Sequence, residues 1–292
     1  MPDKKIFALG FFDGVHLGHQ ALLESCCNLA REEGALPCAI TFQSHPQALF
    51  TDTPPLLINS EEDRKQLLAR YGIRQVVSYP VTREVMGMPW EKFLEELVAD
   101  GAVGFVCGQD FRFGHKGAGN AQKLADYCRG RGLQCRILAD QTLEGIRVSS
   151  SHIRTLLEAG RMEDAVRFLG HPHILSGCVT SGRKLGRTIG VPTANLSIPQ
   201  GVLQPRPGVY ACIARVGGQA YMAVTNVGNR PTVGGHRLTV EPWLLDFSGD
   251  LYGQTLTLEF HKFLRPEKKF ESLDALKEAI LENEQQTRAF FG

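Results

Sequence analysis

Along the first 170 residues two hydrophobic rhythms alternate, short unbroken apolar runs and longer stretches in which apolar side chains recur every three or four positions. Residues 6–9 make the first run, which Gly10 ends. Residues 20–33 then carry Ala21, Leu22, Cys26, Leu29 and Ala30 near helical period, and Gly34 stops the pattern. Further strands are predicted at 36–42, 75–79, 103–107, 134–138 and 146–148. Helices are predicted between them. One is entered through Ser60 and Asp63, which resemble a capping box, and runs to Gly72. Another is opened by Pro89 and closed by Gly101, a third covers 120–129, and a fourth starts in Ser149-Ser150-Ser151. Strands alternating with such helices imply an α/β fold with a parallel sheet covered on both faces. Ligands bind such sheets beyond the carboxyl ends of the strands, which singles out the loops after residues 9, 107 and 148.

The rhythm changes at Gly170. From there six short runs, at 174–179, 193–198, 208–216, 219–227, 238–247 and 256–264, are punctuated by glycine and proline. Gly217-Gly218 between two of them is a tight-hairpin signal. Six strands with few helices predict a small closed barrel, because closure removes exposed sheet edges. A last helix over 272–287 is expected to pack across it. The chain thus divides into domains at 1–170 and 171–292.

Composition narrows the partners. With 292 residues, 43% hydrophobic, 22% charged and a net charge of +1, this is an ordinary globular chain with room for two cores. Balanced charge gives no footprint for nucleic acid, and the chain lacks the run of about 18 apolar residues that would predict a membrane span. Basic residues ahead of positions 6–9 imitate a signal peptide, but the apolar run breaks at Gly10 and meets Asp13 and two histidines. Eight cysteines without a CxxC pair read as small buried hydrophobes in a reducing cytoplasm. A zinc site on His16 and His19 has no cysteine at supporting spacing.

Candidate chemistry concentrates in IFALGFFDGVHLGH, residues 6–19, where a strand, a glycine-rich loop and a helix start follow without a break. Gly10, Gly14 and Gly18 let backbone approach a ligand, and the free N–H groups of the coming helix favour an anion. His16 and His19, three apart, can turn to the same phosphate, and an uncharged N–H donor suffices to stabilise charge developing on its oxygens. The competing reading is that the two histidines are solvated or cap backbone. Two other glycine-rich segments miss their motifs. Residues 177–184 carry Arg183 where a P-loop has lysine, and Gly114, Gly117 and Gly119 do not join a strand to a helix.

His16-Leu17-Gly18-His19 resembles the HxGH motif of nucleotidylyltransferases. With GFFDG (10–14), TFQSHP (41–46), GQDFRFG (108–114) and SSSHIR (149–154), the first half resembles the adenylyltransferase half of the bifunctional riboflavin kinase/FAD synthetase family. GRTIGVPTANL (186–196), PGVYA (207–211), NVGNRPT (226–232), EPWLLDFSGDLYG (241–253) and FLRPEKKF (263–270) resemble its flavokinase half. The resemblance covers essentially the whole chain in the family's order. It implies a Rossmann-like nucleotidylyltransferase domain, then a six-stranded riboflavin kinase barrel with a terminal helix. It also implies riboflavin, FMN and ATP as substrates and Mg2+ as cofactor with ATP, and it leaves homo-oligomerisation open.

Site roles follow from the resemblance. Glu241 matches the catalytic glutamate that takes the proton of the riboflavin hydroxyl as it attacks the γ-phosphate of ATP. Thr193 and Asn195 match the Mg-ATP ligands, and Gly182, Lys184 and Gly186 lie in a segment suited to closing over phosphates. In the second reaction the FMN phosphate attacks the α-phosphate of ATP and releases pyrophosphate. His16, His19 and the loop of Gly10, Phe11, Asp13 and Gly18 are expected to stabilise that transfer. Ser150, Ser151 and Arg154 would hold pyrophosphate and Asp110 would pair with the nucleotide, while Phe42, His45, Phe111 and Phe113 would meet the flavin. Asn226, Arg230 and Arg265 are nominated as riboflavin contacts by motif position.

Two departures stand out. Ser151 and His152 replace the family's threonine and the charged position after it, and Gln43-Ser44 alters the loop before His45. They keep two rival readings open: a riboflavin kinase with a weakened adenylyltransferase half, and a flavin-binding regulator without turnover.

Overall fold

A five-stranded parallel sheet organises the first part of the chain. The computed structural model describes residues 3–181, 190–232 and 235–292, without the side chains of 229–237. β1 (Lys5–Leu9), β2 (Leu36–Phe42), β3 (Gln75–Tyr79) and β4 (Ala102–Gly108) are followed by a small antiparallel hairpin, β5 (Arg112–Phe113) with β6 (Gly119–Asn120), and then by β7 (Gln134–Leu138). The sheet order is β3-β2-β1-β4-β7, with every pair parallel. β1 is central, and Ile6, Phe7, Ala8 and Leu9 are wholly buried, which is why its sequence is apolar without alternation.

The helices of this part are α1 (Leu17–Glu33), α2 (Glu61–Arg70), α3 (Arg83–Met86), α4 (Trp90–Ala99) and α5 (Ala121–Arg131). α1 starts three residues before the predicted Gln20 and ends, as read, at Gly34, which takes the left-handed conformation. Asn120 caps α5 by accepting from the backbone N–H of Lys123. A core of Phe7, Leu9, Ile40, Leu94, Phe105 and Leu124 joins β1, β2, α4, β4 and α5. Between β7 and the next helix lies a second hairpin, β8 (Thr142–Leu143) and β9 (Ile146–Arg147), turned by Glu144 and Gly145, both at positive φ. Its strands are too short to show a period, and only the second was predicted.

The chain resolves into two compact units, Met1–Leu57 with Glu61–Ser150 and Ile58–Ser60 with Ser151–Gly292. The second contains α6 (Ser150–Ala159) beyond its first residue and α7 (Met162–Leu169). It is built on a closed barrel of β10 (His173–Thr180), β11 (Asn195–Ser197), β12 (Gly208–Val216), β13 (Gln219–Thr232), β14 (Gly235–Leu244) and β15 (Thr255–Pro266). The order around it is β10-β11-β14-β13-β12-β15. Gly217 and Gly218, both at positive φ, turn β12 into β13 as predicted. Residues 245–247, predicted as strand, lie beyond β14, where Asp246 takes a φ of 59° and bends the chain. α8 (Leu273–Phe291) closes the chain, capped by the Ser272 hydroxyl accepting from the Ala275 N–H.

Candidate functional site

The loop between β1 and α1 is held in a costly conformation. Phe12 and Val15 sit at φ of 58° and 41°, unfavourable for bulky and especially β-branched residues, with Gly14 between them at 83°. Each such residue costs about 1–3 kcal/mol and persists only where surroundings over-determine it. Those surroundings are visible. Thr41 donates its hydroxyl to the Phe11 carbonyl at 2.7 Å, and Ser150 donates to the Asp13 carbonyl at 2.8 Å. Gly10 and Gly18 serve the loop itself, since a Cβ on Gly10 would stand 3.0 Å from the Phe12 ring and one on Gly18 3.3 Å from the His16 ring.

His16 is the N-cap of α1, and its Nδ1 accepts from the His19 N–H. Capping and function are therefore compatible, because the cap fixes the tautomer and leaves Nε2 as the proton-bearing nitrogen of the neutral ring. The His16 and His19 rings stack 3.7 Å apart at 13°. One edge of His19 faces a cavity, while its Nδ1 is sealed without a hydrogen-bond partner. Burial pushes the His19 pKa well below its usual value, and the neighbouring His16 and Arg64 push it further down. The ring therefore stays neutral at physiological pH.

This cavity, about 220 Å³, is lined by Gly10, Phe11, His16, Gly18, His19, Asp110 and Ser150 among the predicted residues. Asp13 is buried at 1% exposure and supports the loop. Ser151 and Arg154 follow Ser150 on α6 and belong to the second unit. His152 packs edge-on against Phe168 of α7, so the departure at this position is absorbed by packing. The cavity also contains Asp140, Gln141 and Arg147, which were not predicted. Arg147 pairs with Asp110, and its Nε lies 3.0 Å from Asp140 Oδ2. The signal for them was the β8–β9 hairpin, which carries Arg147 to the carboxyl end of the sheet.

An adjoining apolar cavity of about 160 Å³ shares Gly10 and Phe111 with the first. Phe42 and Phe113 line it, together with Tyr79, Met86, Met88 and Phe93. Phe111 and Phe113 stack at 5.5 Å. His45 is not in its lining. It caps a short 3-10 turn, Pro46–Leu49, and meets the Phe11 ring edge-on at 5.4 Å.

The barrel carries its own cavity, about 490 Å³, between β13, β14, β15 and α8. Glu241 on β14 stands directly across from Asn226 on β13, and both line it. Arg265 lines it too, donating Nε to Asn283 Oδ1 at 3.0 Å and lying over Phe270 at 5.4 Å. Thr193 precedes β11 rather than lying in it, and borders both this cavity and a smaller one of about 90 Å³. Asn195 begins β11, its carbonyl accepting from Thr180 Oγ1. Leu276, Ile280 and Asn283 of α8 join the lining and were not predicted. Gly182, Lys184 and Gly186 lie outside the described residues, as does the side chain of Arg230. No group of three His, Cys, Asp or Glu among the described residues forms a metal cluster. No helix among them is long and apolar enough to cross a membrane.

Comparison with known proteins matches two families along the chain. Residues 1–152 match the FAD synthetase family and residues 169–291 the riboflavin kinase family. The chain is 34% identical over 291 residues to the bifunctional riboflavin kinase/FMN adenylyltransferase of Listeria monocytogenes, covering 98% of this chain and 92% of that protein. It is 36% identical over 293 residues to the protein of that description from Escherichia coli K12, covering 98% and 93%. A crystal structure described as a macrolide-efflux protein from Streptococcus pneumoniae superposes with a TM-score of 0.89 at 29% identity, covering 99% of this chain and 95% of that one.

Proposed function

The chain belongs to the family of bifunctional riboflavin kinases/FMN adenylyltransferases, and from that premise we propose how its residues divide the work. The protein phosphorylates riboflavin with ATP to FMN and adenylylates FMN with a second ATP to FAD, releasing pyrophosphate. We assign adenylylation to residues 1–170 and phosphorylation to 171–292. The observation that carries the assignment is that the stacked histidines and Glu241 line different cavities, one in each compact unit, although α6 beyond Ser150 and α7 belong with the barrel's unit and not with the sheet's.

For adenylyl transfer, the apolar cavity receives the flavin ring among Phe42, Met86, Met88 and Phe113, leaving its phosphate to emerge beside Gly10. The α-phosphate of ATP sits at the N-terminus of α1, where backbone N–H groups, His16 and His19 donate to oxygens that gain charge as the FMN phosphate attacks. Ser150, which lines the same cavity, holds the departing pyrophosphate. Arg147, already fixed by Asp110 and Asp140, faces the same space and adds a cation.

For phosphorylation, Glu241 accepts the proton of the ribityl hydroxyl as it attacks the γ-phosphate, and Asn226 opposite orients that hydroxyl. The flavin ring lies against Trp243, Phe270 and Ile280, and Arg265 is pinned by Asn283 at its edge. The donors near Thr193 suit Mg2+: the Thr193 hydroxyl and the Asn195 amide oxygen are hard oxygens, the kind this ion takes along with water and substrate phosphates. When bound, the ion neutralises phosphate charge. We place the protein in the cytoplasm, a reading supported by Cys26, Cys38, Cys107, Cys128 and Cys212 being buried free thiols.

Incubation of the protein with riboflavin, ATP and Mg2+ tests the assignment. Chromatography is expected to show FMN followed by FAD; neither product would contradict it.

A further inference from the structure

Among the described residues the bulkiest side chain sealed wholly from solvent is a charged one, Arg64, on the first turn of α2. Its Nη2 donates to the carbonyl of Phe42 at the carboxyl end of β2. Nε and Nη1 are buried without a hydrogen-bond partner, and the guanidinium lies over the Phe11 ring at 4.7 Å. An arginine keeps its charge even here, so the arrangement carries a desolvation cost that one carbonyl and one ring do not offset. Packing alone would be served better by methionine or leucine. The electrostatic partners of this charge are Asp13 and Glu61.

We propose that Arg64 is a positioning residue for adenylyl transfer. Seated over Phe11 and tied to the end of β2, its guanidinium fixes the strained segment from Phe11 to Val15 and keeps a permanent positive charge within electrostatic reach of His19. The proposal rests on the assignment of that cavity to adenylyl transfer.

Both parts of the role follow from the surroundings. Asp13 is buried at 1% exposure inside the loop whose Phe12 and Val15 have unfavourable φ, and an attractive charge near it opposes relaxation of that loop. Phe11, over whose ring the guanidinium lies, also forms part of the cavity wall. For His19, the groups that bear on its charge are His16 stacked on it, Arg64, and Asp110, Asp140 and Arg147 in the cavity lining. Asp110 and Asp140 are already engaged by Arg147 and lend His19 little negative field, while His16 and Arg64 both act against its protonation. A neutral His19 stays a hydrogen-bond donor without becoming a competing fixed cation, and the loop stays where α1 needs it.

The test uses the full-length protein with Arg64→Met, which keeps apolar bulk but removes the charge, and Arg64→Lys, which keeps charge but not the planar fork. FAD formation from FMN and ATP is followed across pH, with riboflavin phosphorylation as the control for folding. Arg64→Met is expected to lower kcat for FAD formation roughly 100-fold, the scale of a small misplacement in a catalytic site, and to move the acid limb of the kcat/KM profile to higher pH. Arg64→Lys should restore the limb to its wild-type position and recover part of kcat, and both variants should phosphorylate riboflavin normally. The proposal is overturned if Arg64→Met keeps kcat within about threefold of wild type, well short of that loss. It is also overturned if both variants lose the same factor at every pH, since a packing role alone does that. Should Arg64→Met not fold, Arg64→Lys decides alone: a loss of kcat for FAD formation with the acid limb unmoved and riboflavin phosphorylation intact supports the proposal, and wild-type kcat in that variant overturns it. His19→Ala run alongside separates the two readings, because FAD formation surviving in that variant removes the site assignment itself.

Discussion

In the parallel-sheet unit the groups we assign to phosphate are built into the backbone. His16 is a helix cap, His19 is stacked on it, and the loop that carries them is held at unfavourable φ by Thr41 and Ser150. In the barrel unit the corresponding groups are side chains on regular strands around a cavity more than twice as large, with Glu241 and Asn226 meeting simply because β13 and β14 pair in register. The contrast teaches that two transfers from ATP need different preparation. Attack by a phosphate dianion on a phosphate brings like charges together, which calls for fixed donors in place beforehand. A hydroxyl nucleophile calls for one base in line with it.

The largest effects come from exchanging the two sites' fates. Glu241→Gln should lower FMN formation by about 100-fold to 10,000-fold, the usual worth of a general base, and leave FAD formation from supplied FMN. His19→Ala should do the reverse; one variant losing both activities while still folded would break the comparison. Next comes Gly114→Ala, at the wall of the flavin cavity. Its φ is 72° and its new Cβ would stand 2.5 Å from Trp90 Cβ, so it should destabilise the protein by more than about 1 kcal/mol and raise the KM for FMN while the barrel reaction is spared. Arg147→Ala sharpens the comparison from the nucleotide side. The Arg147 ion pairs are exposed and worth at most about 1 kcal/mol of stability, so melting should hardly move while the KM for ATP in FAD formation rises several-fold.

The last effect bears on stability and not on either activity, through pH in the barrel. His173 is buried with neither ring nitrogen partnered, and burial pushes its pKa down to about 3. The unfolded chain takes up a proton there below about 6.5 while the folded chain does not until about 3, so stability falls as pH drops through that window. Urea denaturation at stepped pH should show this fall in the wild type and a shallower one in His173→Leu.

Much of this was legible in the sequence because it rests on period and punctuation. β1 reads as a buried strand from four apolar residues, and the turn at Gly217-Gly218 reads from its glycines. The start of α1 was misplaced because its first turn, Leu17 to His19, continues a glycine- and histidine-rich string that has no apolar period. β8 was hidden because it has only two residues, so the strand at 146–148 did not read as half of a hairpin that brings Arg147 to the cavity. Arg64 was hidden differently. It sits in a polar helix, EEDRKQ, where an arginine is ordinarily solvated, and only the tertiary structure turns this one inward over Phe11. His45 went the other way, since its motif position suggested a ligand contact and the structure gives it a cap and a ring to pack on.

The central claim is that two complete and separate sets of residues perform the two reactions. Mixing the Glu241→Gln and His19→Ala proteins with riboflavin, ATP and Mg2+ tests it most directly. FAD should form after a lag, as FMN made and released by the His19→Ala protein reaches the intact histidine site of the other. Failure of the mixture to make FAD, with each variant still performing its retained reaction, would contradict the account.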